Sequence, residues 1–281
     1  MTDDVIALRP RMMSVAYRML GSVADAEDAV QDAFIRYHTA GGVSSPEGFL
    51  IRTTTRLCID RLRERKRREY VGPWVPEPVE TRSAARGDAL AESLSQAFLL
   101  LLERLTPNER AAFLLRTVFD YEFAEIGELL DKSESAIRQL ISRARGRLGL
   151  DGARRFPAPP ARADGMAEQF VAACRAGDIK AVEALLAEDA ELHPDGGGKA
   201  SAARVVIRGR DKVARFLVGV FRKAWLKDFR IATVNGEPGL VFRADDAVAA
   251  VLSLRVDDSV RAVYITVNPE KLARWAATEI E

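Results

Sequence analysis

The chain has 281 residues, which exceeds one ordinary domain and fits two or three small ones, each able to bury its own core. With 48% hydrophobic and 30% charged residues it has the balance of a soluble globular protein, and no apolar run is long enough to read as a membrane span or signal peptide. The formal net charge of +1 does not announce a nucleic-acid binder, and Cys58 and Cys174, far apart and in no CxxC pattern, exclude a disulfide framework and offer no zinc site. No cofactor, metal or membrane partner is expected, and the expected location is cytoplasmic.

Residues 1–70 read as helices throughout, because apolar residues recur at three- and four-residue spacing, as in Val23, Ala26, Val30, Phe34 and Tyr37. A Gly-Gly-Val-Ser-Ser-Pro break at 41–46 separates two of them. Asp25, Asp28 and Asp32 form a stripe opposite Val30 and Phe34. Such a stripe repels DNA and suits a protein partner with a basic surface, although a solvated face is its commoner meaning. From Arg52 to Arg68 the pattern inverts: Arg52, Arg56, Arg61, Arg63, Arg65, Lys66, Arg67 and Arg68 stand against only Asp60 and Glu64, while Leu50, Thr54, Leu57 and Leu62 leave one apolar side. This is a helix with a basic flank long enough to track phosphates, or a solvated charged face. Residues 71–87, Val-Gly-Pro-Trp-Val-Pro-Glu-Pro and then a polar run, cannot continue a helix and predict an extended linker.

A second helical block runs from Asp88 to Leu150. Inside it Thr106-Pro107-Asn108-Glu109 marks a helix start, with a threonine cap, proline at the first position and Glu109 placed to close a capping box. Phe123 to Leu130, a turn at Asp131-Lys132-Ser133, and Glu134 to Leu140 have the spacing of a helix-turn-helix. Ile126, Leu129, Leu130, Ile137, Leu140 and Ile141 would form its wedge, and Ser133 would cap the second helix. A recognition helix presents its N-terminal residues to base edges, which makes Glu134, Ser135, Arg138 and Gln139 the readers, beside Ser133, and leaves Arg143 and Arg145 to phosphates. An αα-hairpin with an exposed basic face is the plainer alternative. A second linker is placed at 151–163, around Phe156-Pro157-Ala158-Pro159-Pro160. Beyond it, over 164–281, helix-like patterns at 165–187 and 211–224 precede strand-like runs at 229–235, 239–243, 247–256 and 259–267, which is an α+β domain.

Ala16-Tyr17-Arg18-Met19-Leu20-Gly21, the segment Asp25 to Phe34, Pro46-Glu47-Gly48-Phe49-Leu50 and Leu57-Cys58-Ile59-Asp60-Arg61-Leu62-Arg63 resemble region two of the bacterial sigma factors. Leu105-Thr106-Pro107-Asn108-Glu109-Arg110 through Arg143-Ala144-Arg145-Gly146-Arg147-Leu148 resembles region four. The order and separation of the two are those of the extracytoplasmic-function sigma factors. That resemblance implies a role for each surface. Asp25, Asp28 and Asp32 would grip the clamp helices of the largest subunit of core RNA polymerase. The helix carrying Arg52, Arg56, Asp60, Arg63 and Arg67 would open the minus-ten promoter element and hold a flipped base, and region four would read the minus-thirty-five element as duplex. Phe49 stands where many relatives have Trp, and Arg56 where many have Asn, departures that bear on melting geometry and base preference.

The segments Tyr70-Val71-Gly72-Pro73-Trp74-Val75-Pro76-Glu77-Pro78, Asp195-Gly196-Gly197-Gly198-Lys199 and Asn268-Pro269-Glu270-Lys271-Leu272 are similar to signatures of the SigJ-like subgroup, which carries a C-terminal SnoaL-like domain of the NTF2-like fold. The implied architecture is therefore multidomain, two all-α sigma domains followed by an α+β cone with an internal pocket. An enzyme, a sensor of an unidentified small ligand and a structural clamp are all open readings of the tail. The glycine run is either an ordinary turn or a site of close backbone approach. His193, Asp195 and Lys199 could serve proton transfer, but docking is favoured, and no catalytic residue is assigned. On the docking reading Trp74, Pro76, Asp195, Gly196, Gly197, Gly198, Lys199, Asn268, Pro269, Lys271 and Leu272 connect the tail to the sigma domains or linker and regulate them in cis. Two competing functions remain: a one-component helix-turn-helix regulator with a ligand-sensing tail, and a SnoaL-like enzyme fused to an interaction module.

Overall fold

The computed structural model describes residues 3–65, 70–81, 93–150, 165–222, 228–245, 247–273 and 275. Arg67, Lys66, Arg68, residues 82–92 of the first linker and following block, and the linker at 151–163 lie outside the described residues. Those described form two compact units, one from the N-terminal helices and residues 98–150, the other from 70–81, 93–97 and 165 onward.

In the first unit α1 (Asp3–Ile6), α2 (Arg9–Leu20), α3 (Val23–Ala40) and α4 (Pro46–Arg65) pack around Met12, Tyr17, Val30, Leu50 and Cys58. Gly21 ends α2 in the left-handed conformation, and Ser22 caps α3 by accepting the Asp25 N–H at 3.2 Å. The break at 41–46 falls between α3 and α4. After α5 (Gln96–Leu102), α6 (Pro107–Thr117) starts on the capping box its sequence predicts: Thr106 Oγ1 accepts the Glu109 N–H at 3.4 Å, and Glu109 Oε2 accepts the Thr106 N–H at 2.9 Å. Next come α7 (Phe123–Leu130) and α8 (Glu134–Leu148), the helix-turn-helix pair. All six wedge residues are buried. Asp131 turns the chain at φ 58° and ψ 50°, and Ser133 Oγ accepts the Ala136 N–H at 3.3 Å. The turn is so tight that a Cβ on Gly127 would lie 2.7 Å from the Lys132 carbonyl oxygen, which excludes any other residue there without a backbone shift.

In the second unit the predicted 165–187 helix is two, α9 (Met166–Ala176) and α10 (Ile179–Leu185), because Gly177 ends the first at φ 71° and Asp178 caps the second. The 211–224 pattern is α11 (Arg210–Phe221). The four predicted strands are β3 (Phe229–Val234), β4 (Glu237–Ala244), β5 (Ala247–Val256) and β6 (Val260–Thr266). Two more, β1 (Leu186–Asp195) and β2 (Ile207–Arg208), have no strand signal in the sequence. β1 carries four acidic residues and a proline, and it is extended because it pairs in parallel with β6, from Glu191↔Ala262 to Asp195↔Thr266. The six strands form one sheet in the order β2-β1-β6-β5-β4-β3. Alternation then sorts the faces. Leu240, Phe242, Leu252, Leu254, Val263 and Ile265 pack with Phe170, Val182, Val213 and Leu217 of the helices. Val234, Val241 and Val251 meet Leu272 of α12 (Pro269–Leu272) and Trp275 on the opposite face.

On that opposite face Glu237 is buried, with Arg255 3.4 Å from one carboxylate oxygen and no hydrogen-bond partner for the other among the described residues. Burial pushes its carboxyl up to about 7, against the opposing pull of Arg255. A carboxyl whose pKa is higher folded than unfolded binds its proton more tightly in the folded state, so the unit gains stability as pH falls through 7 toward the unfolded value. The thermal midpoint should therefore rise between pH 8 and pH 5, and Glu237→Gln should flatten that slope; parallel slopes in the two proteins would refute the assignment.

Candidate nucleic-acid interface and linker clamp

The predicted DNA-contacting arginines on the described part of α4 are placed on one side of the helix by its apolar stripe, but none of them points into open solvent alone. Arg52 and Arg56 each reach Asp131, at 3.1 Å to its two carboxylate oxygens. Arg61 meets Asp32 at 2.9 Å and donates to the Asp25 carbonyl, and Arg63 pairs with Asp60 at 2.9 Å. Arg65 meets Glu103 at 2.8 Å and donates to the Leu20 carbonyl. Burial alone would raise the Glu103 carboxyl, yet Arg110 and Arg65 together hold it below its ordinary value. All five arginines on the described part of α4 thus have a carboxylate partner.

On α8 the N-terminal turn exposes Glu134, Ser135, Arg138 and Gln139, the positions that a recognition helix turns toward bases. Arg138 is stacked over the Phe123 ring at 4.0 Å and bonds Glu134 one turn away, so the guanidinium is preorganised but occupied. Ser133 spends its hydroxyl on the cap and on Ser135 at 3.0 Å. Arg143 is exposed and Arg145 half-buried further along. The acidic stripe divides: Asp28 is exposed, whereas Asp32 is engaged by Arg61. Ile35, one turn on, is 55% exposed, an apolar residue on the outer side of α3 that charge patterning alone overlooks.

The linker residues 70–81 are extended, but they are packed on the second unit. Asp195, at the end of β1, is fully buried, and its carboxylate is the centre of this contact. Tyr70 donates its hydroxyl to Oδ1 at 2.5 Å, the Val75 N–H reaches Oδ2 at 2.9 Å, and Lys271 Nζ reaches Oδ2 at 2.6 Å. Lys271 also bonds the Val75 carbonyl and sits over the Trp74 ring at 4.6 Å. Burial and the adjacent carboxylate push the Tyr70 phenol well above its usual range, so it stays a donor. Asn268 donates to Tyr70 Oη at 3.0 Å while capping α12, where Pro269 takes the first position. The glycines are sites of close approach. A Cβ on Gly196 would lie 2.6 Å from the Ala200 oxygen, on Gly197 2.2 Å from Asn268 Nδ2, and on Gly198 3.0 Å from Val71 Cβ. Lys199 pairs with Glu270 at the surface. Leu272 is buried beside Trp275, and Pro76 accepts from Gln96 Nε2 at 3.1 Å.

The three residues considered for proton transfer go separate ways: His193 bonds Glu191 at 3.0 Å, Asp195 faces Lys271, and Lys199 faces Glu270. Burial lowers the His193 pKa.

A second anchor has no signature in the linker motif. Asn235, buried in the left-handed conformation at φ 54°, accepts the Val79 N–H at 3.0 Å, donates Nδ2 to the Leu94 carbonyl at 2.9 Å, and gives its own N–H to the Val79 carbonyl at 2.8 Å. Thr81 bonds Thr233 and Gly236, and Gln96 receives the Ser253 hydroxyl at 2.5 Å. Asn235 and Gly236 make the turn between β3 and β4, an ordinary role for that pair, and only the structure shows what the asparagine side chain holds.

Comparison with known proteins fits this geometry. Residues 5–68 match the Sigma-70 region 2 model, 95–148 the Sigma-70 region 4 model and 167–274 the SnoaL-like domain. The chain is 37% identical to the ECF RNA polymerase sigma factor SigJ of Mycobacterium tuberculosis, over 94% of this chain and 91% of that one. It belongs to the ECF RNA polymerase sigma factors. A probable ECF sigma factor of the same organism, SigI, is 28% identical over 95% of this chain and 92% of its own. The crystal structure of the M. tuberculosis SigJ superposes with a TM-score of 0.77 at 34% identity, covering 97% of this sigma factor and 98% of that chain.

Asn235→Gly keeps the left-handed turn and removes the side-chain bonds to Val79 of the linker and to Leu94. Net hydrogen-bond values imply a loss of about 1–3 kcal/mol, and hydrogen exchange at the Val79 and Thr81 amides should quicken while Val75 stays protected. Unchanged protection at Val79 would show that the side chain does not anchor the linker.

Proposed function

We propose that this sigma factor binds core RNA polymerase through the outer face of α3, with Asp25, Asp28, Asp32 and Ile35, and contacts promoter DNA with α4 and α8. Arg52, Arg56, Asp60, Arg63 and Arg67 are assigned to the minus-ten element, and Ser133, Glu134, Ser135, Arg138, Gln139, Arg143 and Arg145 to the minus-thirty-five element. The C-terminal SnoaL-like domain regulates both in cis by holding the linker between them. The observation that carries the regulatory part is the buried Asp195 carboxylate, which takes donors from Tyr70 and Val75 of the linker and from Lys271 of α12. Because the linker joins region two to region four, any change in that contact changes the reach between two DNA-binding surfaces. A regulator working without polymerase would leave residues 1–70 without a role.

Run-off transcription with purified core polymerase tests this. Protein truncated after Val267 lacks Asn268 and Lys271 and should give a promoter-dependent yield different from the full chain. Equal yields would remove the regulatory role. In the same system Arg138→Ala should weaken promoter binding by about 1–3 kcal/mol if it makes a bidentate base contact. A loss that is uniform across promoter sequences would assign Arg138 to a phosphate instead.

A further inference from the structure

Two of the arginines assigned to DNA converge on one carboxylate, and that carboxylate comes from the other DNA-binding domain. Arg52 Nη2 lies 3.1 Å from Asp131 Oδ1 and Arg56 Nη2 lies 3.1 Å from Asp131 Oδ2. Two guanidinium groups bracketing two anionic oxygens is the arrangement that a nucleic-acid phosphate offers to an arginine pair. Asp131 is well placed to supply it. It occupies the left-handed residue of the helix-turn-helix turn, where its carboxylate stands 75% exposed. It also follows three exposed acids, Glu122, Glu125 and Glu128, of which Glu122 pairs with Arg116 at 3.1 Å and Glu125 accepts the Glu122 N–H. The Nε of Arg52 is buried without a hydrogen-bond partner among the described residues, so the fork is held there by its outer nitrogen alone.

We propose that Asp131 is an internal phosphate mimic that occupies the Arg52–Arg56 site, so that region four competes with promoter DNA for region two until polymerase and DNA separate them. The inference rests on the assignment of Arg52 and Arg56 to DNA. Its chemistry makes the competitor displaceable. Both pairs are solvent-accessible, and exposed pairs contribute little, so the two together amount to about three- to tenfold in an equilibrium constant. A polyanion that also releases counterions can exceed that. The same pairs are screened by salt, which makes the effect largest at low ionic strength.

The test is fluorescence anisotropy of a fluorescein-labelled oligothymidylate single strand titrated with full-length protein at low and high salt. Asp131→Asn is the informative variant, since asparagine tolerates the left-handed turn and removes only the charge. It should bind about three- to tenfold more tightly than the parent at low salt, with the gain shrinking as salt rises. Glu128→Gln is the control: it makes the same change of charge one turn away, at an exposed residue with no ion pair among the described residues, and should shift affinity by less than about twofold because no specific contact is lost. Equal gains from the two variants would overturn the proposal, as would a gain from Asp131→Asn that persists when Arg52 and Arg56 are both alanine. If that double-alanine protein binds the strand as well as the parent does, the assignment of the two arginines to DNA fails separately.

Discussion

The Asp195 carboxylate is the constraint on which the C-terminal unit is built. A carboxylate with no exposed surface must be compensated inside the protein, because removing it from water costs several kcal/mol (about that much even after relaxation). Its donors come from three places in the chain: Tyr70, the Val75 backbone and Lys271. Losing the C-terminal helix strands a buried charge, and losing the linker removes two of its three donors. The close approach that this requires explains Gly197 and Gly198, whose Cβ atoms would meet Asn268 and Val71, while Gly196 is crowded by its own loop at Ala200. The sheet is used on both faces as a result, one for the helices and one for the linker and α12.

Pairing of charge organises the other unit. The near-zero net charge could have meant separate basic and acidic surfaces, one for DNA and one for polymerase. In the structure the two interleave: Asp32 takes Arg61, Glu103 takes Arg65 and Arg110, Asp131 takes Arg52 and Arg56, and Glu134 takes Arg138. The only one of these arginines that is deeply buried is Arg110, which also bonds the Met19 and Leu102 carbonyls. That cluster is structural in character, whereas the exposed pairs are contacts that a ligand can replace.

How much was legible follows from which forces are local. The capping box at Thr106, the wedge from Ile126 to Ile141 and the strands from Phe229 to Thr266 were readable because caps, helical period and alternation are written in neighbouring residues. β1 was not, because its extended form comes from β6, about 70 residues further along the chain, and its own acids and proline oppose it. The linker motif could be recognised, and its extended form followed from its prolines, but not that Asn235 holds Val79 and Leu94, since one asparagine in an Asn-Gly turn looks like any other. The arginines of α4 were found, while their partners were not, because Asp131 is 79 residues from Arg52 and its conformation marks it only as a turn residue.

The exposed and buried acids respond to different conditions, and this orders the events. At physiological salt the screening length is about 8 Å, so the exposed contacts of Asp131 weaken as ionic strength or polyanion concentration rises. The contact of Asp195 with Lys271 has almost no solvent between its partners and is screened far less. Salt alone therefore loosens the face of α4 before it loosens the linker. Freeing the linker requires replacement donors for the Asp195 carboxylate. On the proposed function, the two acids separate access to DNA from the reach between the DNA-binding domains, although both lie on one chain.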